Sequence, residues 1–130
     1  MTKISKEVAI EEVNKWLDYK KIKEKKRIAF KEAIESLVEA VCDGCLVLKD
    51  DFTFTQMLEF PVGANKEFKS LDYKPRIDVS TIQKYANGAT TGDARILATL
   101  AALSGQAKEI IAKMDTEDYS IASSVAIFFL

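Results

Sequence analysis

The segment from Ala94 to Leu103 constrains the fold most strongly, because as a helix it would have almost no polar side. A helix that is apolar all round has to be covered by other elements, so we expect it to be the central, most buried helix. Thr91 is a suitable cap for its N-terminus, and Ser104-Gly105 marks its end. The apolar residues of the segment are Ala94, Ile96, Leu97, Ala98, Leu100, Ala101 and Leu103.

Two amphipathic helices are predicted within residues 1–43. In both, apolar residues recur at the spacing of one helical face, and the charged residues fall mostly elsewhere. Ser5 can cap the first helix, which ends near Tyr19. The second is predicted to run as one long helix from about Ile22 to Val41. Asp43-Gly44 ends it, because glycine is favoured just beyond a helix C-terminus.

Residues 46–75 are predicted to form a small antiparallel hairpin region. Side chains alternate in polarity from Phe52 to Phe60, and a return strand follows from Phe68 to Tyr73. Leu46 to Leu48 can add a short third strand. Pro75 lacks a backbone N–H and therefore ends the pairing. The residues that favour a turn between the two longer strands are Pro61, Gly63 and Asn65.

A helical block is predicted from residue 78 to residue 130. Asp78 or Ser80 can cap a short helix before the central one, and Asn87-Gly88 ends it. Asp115 or Thr116 can cap the last helix. The whole chain is therefore predicted to form a single domain of the α+β class, mainly α, with one small antiparallel hairpin or meander. Its 130 residues are enough to bury a core without added cross-links.

The composition argues against an enzyme. The chain has no histidine, which excludes Ser-His and Cys-His mechanisms within it, and it has no glycine-rich phosphate loop. We therefore expect no catalytic residue, cofactor or metal site. The net charge of −1 gives no general attraction to nucleic acid or to a membrane. No apolar stretch approaches the roughly 20 residues that span a bilayer, and no signal peptide is seen, so we expect a cytosolic protein.

Two kinds of residue pair carry candidate chemistry. Cys42-Asp43-Gly44-Cys45 is a C-x-x-C pattern, which can serve as a redox pair or as half of a zinc site. The pattern lies at a predicted helix C-terminus, where the partial charge is negative, so we interpret both cysteines as ordinary half-buried thiols. The acidic pairs Asp50-Asp51 and Glu117-Asp118 are interpreted as residues of a turn and of a helix N-terminus.

The densest basic run extends from Lys20 to Arg27, and nucleic-acid binding is the alternative that it favours. No aromatic residue is interleaved with it, so we interpret it as the solvated start of a helix. Asp93 and Arg95 start the central helix. One interpretation is a buried or inter-subunit ion pair between them. We favour the other, in which Asp93 suits the positive end of the helix dipole and the Arg95 side chain extends from the edge of the core to solvent.

The C-terminal segment from Tyr119 to Leu130 has no charged residue. It is either the last element of the core or a surface that meets another subunit or a client. The second amphipathic helix is the other candidate, because such helices bind helical partners through their apolar face. The candidate protein-interaction residues are Phe30, Ile34, Leu37, Val41, Val125, Phe128, Phe129 and Leu130.

The order of elements from Phe52 to Leu130 resembles the tail assembly chaperone family of long-tailed bacteriophages. In that order a hairpin is followed by a proline-containing exit, a short capped helix, an apolar helix that a Gly-Asp pair initiates, a Ser-Gly break and two short helices. The residues that carry the resemblance are Phe60-Pro61, Leu71 to Ile77, Gly92-Asp93-Ala94-Arg95, Leu103-Ser104-Gly105, Met114-Asp115 and Asp118-Tyr119.

The resemblance implies a non-enzymatic protein that binds and solubilises the tape measure protein in the host cytoplasm and is absent from the mature virion. It also implies that many copies coat this client. Self-association of the copies head to tail, without closure, would give a spiral or a filament. A longer form, made by a ribosomal frameshift near Phe128-Phe129-Leu130, would contact the tail tube protein. Three alternatives remain at this point: another phage morphogenesis protein such as a head-tail connector or adaptor, a small regulatory nucleic-acid-binding protein, and, least favoured, an enzyme.

Overall fold

The computed structural model describes residues 3–88 and 91–130 and has the expected α+β architecture, with 57% of residues in helices and a small three-stranded antiparallel sheet. In chain order, the elements are α1 (Lys6–Tyr19), α2 (Glu24–Ala29), α3 (Lys31–Cys42), β1 (Leu46–Leu48), β2 (Phe54–Val62), β3 (Phe68–Tyr73), α4 (Val79–Ala86), α5 (Gly92–Ser104), α6 (Lys108–Ala112) and α7 (Thr116–Ala126). A 3-10 turn, Ile127–Phe129, follows α7.

Helix α5 is the central helix that its composition predicts. Its residues from Ala98 to Leu103 are all buried. The Thr91 side chain accepts a hydrogen bond from the Ala94 N–H at 3.1 Å, and Gly105 ends the helix with a φ of 72°. Its first turn stays at the surface, and Asp93 and Arg95 are both exposed. No ion pair joins them among the described residues, in agreement with the interpretation that was favoured.

The sheet has the order β1-β2-β3 and confirms the short third strand. Strand β2 begins two residues later than predicted, because Phe52 lies in the preceding turn with a φ of 68°. The ring of Phe52 stacks on Tyr19 at 4.2 Å. Strand β2 also continues through Pro61 to Val62. Its register against β3 shifts between Met57 and Val62, and this irregular stretch accommodates a proline that has no N–H to donate.

The prediction of one long helix from Ile22 to Val41 was wrong, because Phe30 separates α2 from α3. Phe30 has φ and ψ of −108° and 33°, outside the helical range. Its ring packs edge-on against Phe128, with 5.7 Å between the ring centroids, whereas α2 has no buried residue. Helix α3 packs on the core, whereas α2 lies on the surface. The two segments therefore need different directions, which one regular helix through Phe30 would not allow.

Helices α1 and α3 are antiparallel neighbours. The backbone N–H of Ile4 donates to the Cys42 carbonyl at 3.0 Å, and the Cys42 thiol donates to the Ile4 carbonyl. At the opposite end, Arg27 donates to the Asp18 carboxylate at 2.8 Å. The side of α1 that faces the core contains Trp16, whose ring contacts Phe54, Phe128 and Phe129. The N-terminal helix, the sheet and the C-terminal turn therefore share one cluster of buried aromatic rings.

Candidate protein-interaction groove

A groove of about 610 Å³ lies between α1 and α3. Its apolar residues are Ile10 from α1 and Ile34 and Val38 from α3. Ile10 is 40% exposed, and Ile34 and Val38 are half-buried, so the apolar lining remains open to solvent. Helix spacing explains the arrangement, because Ile34 and Val38 are four residues apart and lie beside each other on one face of α3.

Charged residues form one rim of this groove. Four of them recur at every fourth residue from the start of α3 to its C-cap, so consecutive members are neighbours on that helix, and the fifth belongs to α2. The first two are basic and the last three are acidic, and the part that belongs to α3 and its C-cap has a length of about 18 Å at the rise of an α-helix. We call this set the charged rim; its members are Arg27, Lys31, Glu35, Glu39 and Asp43.

A second open groove of about 670 Å³ lies between the α2–α3 junction and α7. Its apolar residues include Ile28, Phe30, Ile96 and Ile127. Ile28 is 67% exposed and adds apolar surface at this groove. Three serines of α7 provide the polar side of this groove: Ser120, Ser123 and Ser124.

The structure separates the eight candidate interaction residues into two groups. Leu37, Val41, Val125 and Phe128 are 0 to 4% exposed and belong to the core, so a partner cannot reach them in this fold. One side of α7 packs on the core, where Ala122, Val125 and Ala126 are buried. Its other side lines the second groove, so contact of that side with another subunit or a client stays a prediction.

The other four candidates have exposed surface but are not brought to one place. Ile34 lies in the first groove and Phe30 in the second. Phe129 is half-buried and Leu130 is 50% exposed. Ile10 was not among the predicted interaction residues. The sequence contains one sign of its role, because Ile10 is apolar but lies outside the buried face of α1, which consists of Ala9, Val13, Trp16 and Leu17.

The start of the basic run is partly buried against the C-terminus. The Lys20 ammonium lies 3.4 Å from the centroid of the Phe129 ring and donates to the Pro75 carbonyl at 3.4 Å. Burial, followed by the positive charges of Arg76 and Lys26, lowers the pKa of Lys20 to about 8. Arg76 itself donates to the Tyr19 carbonyl at 3.0 Å, at the C-terminus of α1.

A buried polar network links α7 to the sheet. Asp118 is 1% exposed, and its two carboxylate oxygens accept from the backbone N–H groups of Glu59 at 3.1 Å and Phe60 at 3.0 Å. These N–H groups belong to the irregular stretch of β2, so the carboxylate replaces partners that β3 does not supply there.

The network continues from the backbone of Asp118. Its carbonyl accepts from the Gln56 side chain at 2.9 Å, and Gln56 accepts from the Tyr73 hydroxyl at 2.6 Å. Burial, followed by the negative charge of Asp118, raises the pKa of Tyr73 well above its usual range. Glu117 and Asp118 do lie in the first turn of α7 as expected, but Asp118 also holds the sheet.

The two cysteines lack the environment of a reactive pair. Burial, together with the charges of Glu59, Asp43 and Asp118, raises the pKa of the Cys45 thiol, whereas a nucleophilic thiolate requires a lowered pKa. The Cys42 thiol is engaged by the Ile4 carbonyl. Across residues 3–88 and 91–130, no group of three or more His, Cys, Asp or Glu side chains is arranged to hold a metal ion.

Comparison of the chain with protein-family models, with curated proteins and with solved structures gives no match. In the part of the chain that the structure describes, no helix has both the length and the apolar character needed to cross a membrane. The functional inference therefore depends on the grooves, the charges and the order of elements in this chain.

Proposed function

We propose that this protein is a non-enzymatic phage tail assembly chaperone, which binds and solubilises the tape measure protein in the host cytoplasm and is absent from the mature virion. The order of elements from Phe52 to Leu130 supports this proposal through its resemblance to that family. The observation that carries it is the apolar groove between α1 and α3, which is open along its length and has a charged rim.

The groove suits one amphipathic helix of an elongated client. A helix of this kind presents apolar residues at every third or fourth position, and these pack between two helices of a receptor. The part of the charged rim that belongs to α3 and its C-cap is about 18 Å long, which corresponds to roughly 12 residues or three turns of a bound helix. A client with many such helices would bind many copies of the chaperone, and each copy would cover an apolar surface that otherwise aggregates.

The proposal includes self-association through a different surface. The second groove and the exposed side chain of Ile28 provide apolar surface, and this groove shares Lys31 with the first. A copy docked there would leave Ile10 and Val38 open to the client. A head-to-tail contact of this type repeats without closing and gives a spiral that can follow a long client.

The decisive experiment compares Ile10→Asp with Val8→Asp. Both residues are on α1 and are similarly exposed, at 40% and 42%, but only Ile10 lines the groove. The tape measure protein is co-expressed with each variant, and its soluble fraction is measured. Wild type and Val8→Asp should keep the client soluble, whereas Ile10→Asp should not. Equal behaviour of the two variants, with both folded by circular dichroism, would remove the groove from the proposal.

Self-association has its own matched pair of variants. Ile28 and Val79 are 67% and 69% exposed, and only Ile28 lies at the second groove. Analytical ultracentrifugation should show an oligomer for wild type and Val79→Asp and a smaller species for Ile28→Asp. Monomeric wild-type protein over the accessible concentration range would contradict this part of the proposal.

The longer form and the fate of the protein are tested separately. The native gene is expressed with its downstream DNA and an N-terminal tag, and the products are identified by mass spectrometry. A minor product that continues in frame near Phe129-Leu130 is expected, and a tube-protein pull-down then tests its contact. Leu130 is 50% exposed, so a continuing chain would leave at the surface. Detection of the protein in finished particles would instead favour a connector or adaptor.

Nucleic-acid binding is the second candidate function, and one observation favours it. Lys20 lies close enough to Arg76 and Lys26 for their positive charges to lower its pKa, so these three residues form a local basic cluster. Binding to phosphates would be strongest at low salt and would fall steeply as salt rises from about 50 to 200 mM. A labelled oligonucleotide that shows no binding at the lower salt concentration would exclude this function.

A further inference from the structure

We infer that the groove between α1 and α3 selects client helices whose charges are segregated. The bound helix would have acidic residues at the end that faces Arg27 and Lys31. It would have basic residues at the end that faces Glu35, Glu39 and Asp43. This inference rests on the proposed function, because the occupant is taken to be a helical segment of the client.

The charged rim is available for pairing with a ligand. Lys31, Glu35, Glu39 and Asp43 are exposed, and none of them takes part in the three ion pairs found among the described residues. Arg27 is already engaged, because it donates to Asp18 at 2.8 Å and to the Ile22 carbonyl at 2.9 Å, and only 23% of its side chain is exposed. Four of the five rim charges are therefore free to contact a partner.

The order of the rim charges is unfavourable for the isolated protein. Like charges four residues apart on a helix repel each other, and the part of the rim on α3 and its C-cap contains two such pairs: Glu35 with Glu39, and Glu39 with Asp43. An alternating order would have relieved this repulsion within the chain. A ligand with the opposite charge pattern reduces the repulsion when it binds, whereas a ligand with alternating charges does not. The rim therefore selects between the two ligands.

The other wall of the groove does not cancel this polarity. It contributes Lys6, Ile10 and Asn14 from α1. Lys6 lies at the acidic end, beside the contact of Ile4 with Cys42, and reduces three negative charges there to a net of two. Helices α1 and α3 are antiparallel, so opposite ends of their dipoles meet at each end of the groove and largely cancel. The charged rim therefore determines the polarity of the site.

The test uses two peptides with the same composition and the same apolar stripe. One has an acidic half and a basic half, and the other has alternating charges. Fluorescence anisotropy measures their binding to the full chain at about 0.01 M and about 1 M salt, where screening lengths are about 30 and 3 Å. The segregated peptide should bind about tenfold more tightly at low salt, from several exposed pairs that are individually weak, and this preference should disappear at high salt.

A charge-swapped protein locates the effect. The double variant Lys31→Glu with Glu39→Lys keeps the net charge but destroys the segregated order, so it should bind both peptides equally. The control swap, Glu12→Lys with Lys15→Glu, exchanges an ion pair of 3.5 Å outside the groove and should retain the preference. Persistence of the preference in the Lys31 and Glu39 variant would overturn the inference.

The remaining outcomes separate this inference from the proposed function. If both peptides bind equally and Ile10→Asp abolishes their binding, the groove is a helix site without charge selection and the inference is wrong. If neither peptide binds while wild-type protein keeps the tape measure protein soluble, the inference is also wrong and the chaperone proposal stands. If Ile10→Asp dissociates an oligomer, a second copy occupies the groove and the inference fails. Failure to solubilise the client contradicts the chaperone function itself.

Discussion

Replacement of Asp118 by asparagine tests how α7 holds the irregular stretch of β2. The two carboxylate oxygens accept from the N–H groups of Glu59 and Phe60 in a site that is 1% exposed. Asparagine has nearly the same shape but only one acceptor oxygen, and its amide group would direct a donor at one of these N–H groups. One charge-assisted hydrogen bond is lost and one buried N–H is left without an acceptor.

The size of the effect follows from these two losses. A hydrogen bond to a charged group contributes about 1.5–3 kcal/mol, and an unsatisfied buried donor costs about 1–3 kcal/mol. The neutral asparagine also avoids the cost of burying a charge, which offsets part of this sum. This cost applies to Asp118 because its carboxylate has no ion-pair partner among the described residues. We expect Asp118→Asn to lower the free energy of unfolding by about 2–4 kcal/mol.

Urea unfolding provides the assay, and Trp16 provides the signal. It is the single tryptophan of the chain and is 1% exposed, so its fluorescence reports the loss of the core. With an m-value of about 1–3 kcal/mol per molar, the midpoint should fall by at least about 0.7 M. Glu117→Gln is the matched control, because this neighbouring acid is exposed and should change stability by less than about 0.5 kcal/mol. A variant Asp118→Asn as stable as the control would refute the reasoning.

Three further predictions concern the core, a buried amine and a thiol. Leu37→Ala should lower the unfolding free energy by about 2–5 kcal/mol, and Ile34→Ala by clearly less, because Leu37 is fully buried and Ile34 is not; equal losses in urea unfolding would contradict the assignment of Leu37 to the core. The lowered pKa of Lys20 means that, above about pH 8, the unfolded chain binds more protons than the folded one. Wild-type stability should therefore rise relative to Lys20→Met between pH 7 and 9.5, and a constant difference in urea midpoints would argue against the lowered pKa. The raised pKa of Cys45 predicts that iodoacetamide at pH 8 modifies this thiol only in denaturant, as followed by peptide mass spectrometry, and rapid alkylation of native protein would show a more reactive environment.

Sequence patterns predicted those elements whose determinants lie within the element itself. The apolar character of α5, its Thr91 cap and the glycine that ends it are all contained within 15 residues of sequence, and the structure confirms them. The break at Phe30 was not predictable in this way, because its cause is a ring contact with Phe128 at the other end of the chain. Amphipathic periodicity continues across the break and gives no sign of it.

The candidate site shows the same division between local and distant causes. Ile34 was identified from periodicity, but the groove also requires Ile10, which belongs to a different helix. Asp118 was interpreted as an acid at a helix N-terminus, where it does lie. Its second role depends on N–H groups 58 and 59 residues away, which no spacing rule relates to it.

The contact of Trp16 with Phe128 has a consequence for protein synthesis. The ribosome adds about 110 residues between these two rings, which takes roughly 5–20 s at ordinary elongation rates. During this interval the first helix can form, but its tryptophan lacks Phe128 and Phe129, two of its three aromatic neighbours. A nascent chain that stalls before Phe128 would therefore have an uncovered indole and be prone to aggregation, so the aromatic core is complete only after Phe128 and Phe129 have been synthesised.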